Sequence, residues 1–377
     1  MKPLAEIGQP LAQVDTPALI VDLDAFETNL KTMADMIAGG PAKLRGHSKT
    51  HKSPVIGLKQ MELGAVGVCC QKVGEAEAMV EGGVDNVLVS NQIAGASKLD
   101  RLADLNRRAF VPFCVDHVQG VAQASQAAKR AGATMDALVE IDVGGGRCGV
   151  QPGQAAVDLA RIVDAADGLR FGGLQAYHGS VQHVRNHAER HAHAQGAVDK
   201  ARMTVEALSA EGFTCDIVGG AGTGTFQTEA ASGIYNELQA GSYVFMDTDY
   251  ALNLGADGEQ AGQFQHALFV QTSVMSMPVP ERVVLDAGHK TCAIDSGPPQ
   301  PFGLPGAVTG SLSDEHAVLD VTEVNNRPGW GDHVLLIPGH CDPTVNLHDH
   351  YICVRSLHTP GAVVEDIWPV AARGALN

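Results

Sequence analysis

The sequence predicts a (β/α)8 barrel followed by a mostly β C-terminal domain. Three observations predict it. Short Val-, Ile- and Phe-rich runs alternate with helical patterns over the first 250 or so residues. After one leading strand, eight such β-then-α units can be counted. Beyond about Gln263 the helical period stops, and short strands punctuated by Pro and Gly take over. Repeated βα units imply parallel strands with right-handed crossovers, and eight closing on themselves make a barrel. An open doubly wound sheet fits the same count, so the count favours closure without proving it.

The strands are read as Ala18–Asp22, then 43–48, 65–70, 86–90, 110–115, 138–143, 171–177, 215–218 and 237–240. Helices fall between them. Val198, Ala201, Val205 and Leu208 recur at helix spacing, as do Val118, Val121, Ala124 and Ala128. The later strands are HALFVQTSVMS, ERVVLDAG, HAVLDVTE, GDHVLLIPGH, HYICVRS and AVVEDIWPV. Residues 22–262 are expected to form the barrel and 263–377 the β domain, with residues 1–21 joining the latter.

Composition bounds the function. With 45% apolar and 18% charged residues among 377, the chain can bury a large core. Lys and Arg total 26 against 43 Asp and Glu, a net charge of −17. That charge argues against nucleic acid or an anionic membrane as partner, though local cations can still bind an anionic small molecule. No apolar run approaches a membrane span, and Met1 to Pro17 lacks the pattern of a signal peptide. The eight cysteines show no C-x-x-C pair, so reduced thiols and a cytoplasmic location are expected. Cys69 and Cys70 read as the end of a buried strand.

Catalytic groups of a barrel project from the C-terminal strand ends. After the first barrel strand comes Arg45-Gly46-His47-Ser48-Lys49-Thr50-His51-Lys52. Period-two alternation puts His47 and Lys49 on one face, with Lys49 at the mouth. A lysine desolvated there, near other cations, would have a lowered pKa and could form a Schiff base. Lys52 is its competitor. The other strand ends are also polar. They supply Gln71 and Lys72, Asn91 and Gln92, Arg147 after a glycine run, and Tyr177, His178, Ser180, Gln182 and His183. Gly144-x-Gly146-x-x-Gly149 formally matches a dinucleotide fingerprint. It is rejected, because the motif is weak alone and no acidic residue follows at the next strand end.

Gly219 to Thr225 follows the seventh strand, and Gly241-Ser242-Tyr243 follows the eighth. Glycine lets backbone N–H groups approach a phosphate, and barrels often hold phosphate on these two loops. A pair of tight turns explains the glycines equally well. A Schiff-base lysine and a phosphate cradle at one mouth suggest pyridoxal phosphate. In the β domain, His340 and Asp342 are two apart in Pro338-Gly339-His340-Cys341-Asp342-Pro343. An imidazole and a carboxylate pointing the same way suit Mn²⁺, Mg²⁺ or Zn²⁺. Cys341 should face away, and His348, Asp349 and His350 are either supporting residues or surface.

With these residues in hand, the chain resembles the D-threonine aldolase family, in the alanine-racemase-like group of pyridoxal phosphate enzymes. The match runs nearly end to end. It includes DTPALIVDLDAFETNL, HSKTHKSP, GVCCQKVGEAEA, EIDVGGGRCGV, GLQAYHGSVQH, GGAGTG, ELQAGSYVFMD, the DEH at Asp314 to His316, and PGHCDPTVNLHD. The resemblance implies a barrel followed by a β domain and a homodimer. It implies that Lys49 carries the cofactor, with His47, Gln71, Arg147 and Tyr177 around the ring. Gly220, Gly222, Thr223, Gly224, Gly241, Ser242 and Tyr243 would hold the phosphate, and His340 and Asp342 the metal. Tyr177 would also line the substrate, and His183 is a candidate base with a metal-bound water as its rival. The implied reaction cleaves D-β-hydroxy-α-amino acids to glycine and an aldehyde.

Two departures are visible. Gly46 stands where relatives often have Pro, and should loosen the strand end. Ala221 interrupts the expected glycine run, and matters only if its backbone needs positive φ. The nearest rival activity is 3-hydroxy-D-aspartate aldolase, whose second carboxylate could use Lys72, Arg185 or Lys290. A dehydratase is disfavoured because such relatives tend to carry Cys where this chain has Asp342. A pyridoxal phosphate carrier would lack the second domain, and a metal-free racemase fits the His340 segment poorly.

Overall fold

The computed structural model describes residues 3–377. Met1 and Lys2, part of the N-terminal stretch read above, lie outside them. Strand β1 (Ala18–Asp22) leads into a helix, Leu23–Ile37, whose N-terminus is capped by the Asp22 carboxylate. Eight strands then close into a parallel barrel: β2 (Lys43–His47), β3 (Gly67–Cys70), β4 (Val87–Gln92), β5 (Phe113–Val115), β6 (Met135–Glu140), β7 (Leu169–Ala176), β8 (Ile217–Gly220) and β9 (Glu237–Leu238). β2 closes on β9 through Lys43↔Glu237 and Leu44↔Leu238. The open doubly wound alternative is therefore excluded.

The units are not all β-then-α. β9 is followed only by a short 3₁₀ turn, Ser242–Val244. The helix Leu23–Ile37, ahead of β2, packs there instead: the Asn29 amide donates to Val244 O and Gln265 O. β6 is displaced at both ends, running Met135–Glu140 rather than 138–143. Asp136 lies on the strand and pairs with Arg170 on β7.

Alternation along the strands sorts side chains into two cores. Val68 and Cys70 join the large apolar layer between strands and helices. Cys69, Leu88, Cys114, Leu138 and Ile217 form a separate cluster that plugs the barrel. The buried Arg45 crosses from β2 to β9 with its Nε 2.5 Å from Glu237 Oε2 and its third nitrogen on Asn86 Oδ1. Gly46 does not loosen the strand. A Cβ there would lie 2.5 Å from the Gln60 amide, so the residue is small because a helix packs onto it.

The remaining strands are β10 (Leu268–Val279), β11 (Arg282–Leu285), β12 (Gln300–Phe302), β13 (Val308–Leu312), β14 (Ala317–Asp320), β15 (His333–Ile337), β16 (His350–Arg355) and β17 (Val363–Pro369). With β1 they make a nine-stranded sheet. β1 lies inside it, antiparallel to β10 and parallel to β16. Between β15 and β16 a short helix, Cys341–Val345, points back toward the barrel mouth.

Candidate active site

β2 ends at His47, and the chain turns through residues 48–52, closed by Lys52 N–H donating to Ser48 O. Lys49 sits on this turn and lines a cavity of about 550 Å³ with His47, Gln71, Arg147, Tyr177 and His183. Its ammonium is not surrounded by cations. It pairs with the Asp342 carboxylate, contributed by the other domain. Burial would push the amine down, but the Asp342 charge outweighs it and holds the ammonium above its ordinary range. The expected lowering of the Lys49 pKa is thus reversed in this state. Lys52 is removed from contention: it is buried, with its Nζ 2.5 Å from Glu75.

His47 meets the Gln71 amide at 2.7 Å. Burial and the nearby Lys49 push its imidazole well below the usual range, so it is neutral. The Arg147 guanidinium lies 5.5 Å from the centre of the Tyr177 ring. Behind it, Glu140 is buried and accepts from the Gln92 amide at 2.5 Å; burial raises its carboxyl. Gln175 and Gln239 exchange amide hydrogen bonds of 2.7 and 2.8 Å deeper in the barrel.

The two glycine loops meet beside the lysine turn. A Cβ on Gly241 would lie 2.6 Å from Thr50 Oγ1, and one on Gly222 would lie 2.5 Å from the Gln182 amide. Tyr243 N–H donates to Thr223 Oγ1 at 3.1 Å and ties one loop to the other. Gly224 N–H is taken by Gln182 Oε1 at 2.9 Å. Among the described residues, the N–H groups of Thr223 and Gly241 have no acceptor. That leaves donors for an anion beside Gly220 and Ser242. Ala221 has φ of +69°, so the interruption of the glycine run does carry backbone strain. The Tyr243 ring faces away from the mouth, its hydroxyl accepting from the Gln60 amide at 2.8 Å.

His340 is extended, and the helix Cys341–Val345 begins after it. This brings His340 Nε2 to 4.0 Å from Asp342 Oδ2. His340 Nδ1 is 2.6 Å from Asp295 Oδ2, which sequence reading missed. Asp342 Oδ1 is buried without a hydrogen-bond partner, as is the Thr50 hydroxyl beside it. An imidazole oriented by a carboxylate, next to an unsatisfied carboxylate oxygen, fits a hard divalent cation. No group of three His, Cys, Asp or Glu side chains assembles among the described residues, so water or substrate oxygens would complete the shell. Cys341 faces away, with its Sγ 3.3 Å from Met246 O. His348 and Asp349 are committed elsewhere, to Thr291 O and Arg373.

His183 ends a 3₁₀ turn, Ser180–His183, after β7, and it too faces the cavity. Its Nδ1 is 2.6 Å from Asp249 Oδ2. Asp249 lies two residues beyond the ELQAGSYVFMD segment, outside every motif quoted above. In the Gly144 to Gly149 loop, the N–H groups of Gly144 and Gly146 donate to Asp142 Oδ1 at 2.9 and 3.1 Å.

Comparison with known proteins decides the family. The alanine racemase N-terminal domain model matches residues 21–249, and a serine dehydratase domain model matches 267–354. A D-threonine aldolase of Arthrobacter sp. is 46% identical over 99% of this chain and 97% of its own length. The chain belongs to the D-threonine aldolase family. A 3-hydroxy-D-aspartate aldolase of Paracoccus denitrificans is 44% identical over 97% of this chain and 94% of its own. The solved D-threonine aldolase of Filomicrobium marinum superposes with a TM-score of 0.95, at 51% identity over 99% of this chain and 100% of that one. Aldolase relatives thus share the barrel and the second domain together.

Proposed function

We propose that the protein cleaves D-β-hydroxy-α-amino acids such as D-threonine to glycine and an aldehyde, with pyridoxal phosphate and a divalent metal. One observation carries the reading: among the described residues Lys49 is the only lysine lining the cavity, and it touches Asp342, which joins the cofactor-binding mouth to the two-ligand pair of the β domain. Residues 22–262 supply the cofactor half and 263–377, with residues 1–21, the metal half.

Lys49 would hold the cofactor through its Nζ, with Arg147 and Tyr177 at the ring, His47 and Gln71 beneath, and the loops at Gly220–Gly224 and Gly241–Tyr243 on the phosphate. When bound, pyridoxal phosphate supplies an electron sink for the pair left at Cα. His340 and Asp342 would hold Mn²⁺, Mg²⁺ or Zn²⁺, which acidifies the β-hydroxyl. His183 takes the hydroxyl proton. The O–H pair then becomes the second bond of the aldehyde C=O as the Cα–Cβ bond breaks.

A second carboxylate on the substrate finds little here. Arg185 is spent on Asp249 and Asn253, Lys290 pairs with Glu315 in solvent, and Lys72 lies outside the cavity. This supports an uncharged β-substituent over 3-hydroxy-D-aspartate. A cytoplasmic homodimer without nucleic-acid or membrane partners suits the charge, and no helix among the described residues is long and apolar enough to cross a membrane. The test is glycine release from D-threonine by protein loaded with cofactor and Mn²⁺, with and without a chelator. Chelator-sensitive glycine is expected. Release from 3-hydroxy-D-aspartate alone would overturn the substrate assignment.

A further inference from the structure

The side chains behind His183 are as specific as those in front of it. Asp249 is only 8% exposed, and both its oxygens are taken. Oδ2 lies 2.6 Å from His183 Nδ1, and Oδ1 pairs with the Arg185 guanidinium. Arg185 also donates to Asp249 O at 2.7 Å and to Asn253 Oδ1 at 2.9 Å. Asn253 in turn donates to Gln182 O at 2.9 Å, one residue before His183. From below, Arg190 donates to Val184 O, Arg185 O, Gly224 O and Leu254 O. The Tyr250 ring packs on the imidazole at 5.6 Å between centroids. The turn carrying His183 and the turn carrying Asp249 are thus stitched into one unit.

A carboxylate can only accept, so the hydrogen of this bond sits on Nδ1. That leaves the Nε2 lone pair for the cavity that Lys49 lines. We propose that Asp249, clamped by Arg185, is the positioning residue that fixes the tautomer and orientation of His183 as proton acceptor. The inference rests on the reading of His183 as base. It adds that a neutral imidazole in the other tautomer would offer an N–H to the substrate hydroxyl and accept nothing. When His183 takes the proton, the cation formed lies against a carboxylate already in contact. Arg185 keeps that carboxylate from rotating away and from bonding the substrate.

The test is a double-mutant cycle on the holoenzyme with D249N, H183A and the pair. D249N keeps the shape and replaces an acceptor by an amide that can donate. It is expected to lower kcat by ~100- to 10,000-fold, in the range of acid–base contributions, with KM and the bound-cofactor absorbance unchanged. In the H183A background it should change kcat no further. A far-downfield proton resonance from the 2.6 Å bond should be present in the parent and absent from both single variants. Should D249N disturb folding, R185Q leaves Asp249 in place and should give a smaller loss that also vanishes without His183. An H183A enzyme with normal turnover would overturn the base and this inference with it. A slow H183A enzyme in which D249N still lowers kcat would overturn the inference alone.

Discussion

Lys49 and Lys52 are three residues apart on one turn, and each is paired with one carboxylate. Lys52 and Glu75 are 8% and 4% exposed, and both belong to the barrel. Glu75 also accepts the N–H groups of Gln71 and Lys72, at 2.8 and 3.1 Å, and caps the helix Val73–Glu81. Lys49 reaches across to the other domain, where Asp342 keeps one oxygen buried and unbonded. One pair is closed and complete. The other is open to a cavity and unsatisfied on the carboxylate side. The difference teaches that the lysine proposed to hold the cofactor is set apart by what its partner lacks, since the chemistry of the two side chains is the same.

Removing each lysine should break the comparison most sharply. K49A is expected to abolish the absorbance of lysine-bound cofactor and all turnover, while the thermal transition stays within a few degrees of the parent. Normal absorbance in K49A would hand the role to another amine. K52M should do the opposite. It leaves Glu75 charged and buried without its cation, which costs about 3–5 kcal/mol by denaturant unfolding, with the cofactor band retained in the folded fraction. An unchanged denaturant midpoint would show that Glu75 is neutral or hydrated.

Glu229 sharpens the contrast, because it is a buried carboxyl with no cation at all. Its Oε1 accepts from Thr225 at 2.8 Å, and its Oε2 has no partner. Burial pushes it from 4.5 up to about 8. The folded protein therefore keeps a proton that the unfolded chain has lost between these values. This stabilisation is full below pH 4.5 and is lost as pH rises through 8, by about 1.4 kcal/mol per pH unit. E229Q should flatten that slope, measured as unfolding free energy at pH 5, 6, 7 and 8. Parallel slopes for parent and variant would show that Glu229 ionises normally. The smallest effect belongs to Asp295, which only orients His340. D295N should weaken Mn²⁺ binding, read by direct titration of the metal, by about 10- to 100-fold. Unaltered affinity would mean that His340 needs no such support.

The fold was readable because period and punctuation carry it. Ala18–Asp22 was bounded to the residue, and β6 was missed by three because Asp136 needs Arg170, 34 positions on, to be a strand residue. The residues that the cavity brings together were readable where lysine, histidine, glutamine and tyrosine stand at strand ends. The site was unreadable where a partner comes from elsewhere. Nothing around Asp249 or Asp295 signals that each faces a histidine. The sign of the Lys49 shift was wrong for the same reason, because the neighbour that sets it is 293 residues away. Gly46 was misjudged because the reason for its size is a Gln60 side chain on the following helix.

β1 has a consequence for the order in which the protein is made. Ile20 pairs with Ile352, and Leu19 with Val270, so a strand made before the whole barrel finds its partners only after it. All eight barrel strands emerge before those partners exist. The sheet beside the segment that bears His340 and Asp342 can be completed only after residue 369 is synthesised. The barrel strands and Lys49 are therefore made well before the domain that bears His340 and Asp342, and the two halves of the proposed site can meet only once both have been synthesised.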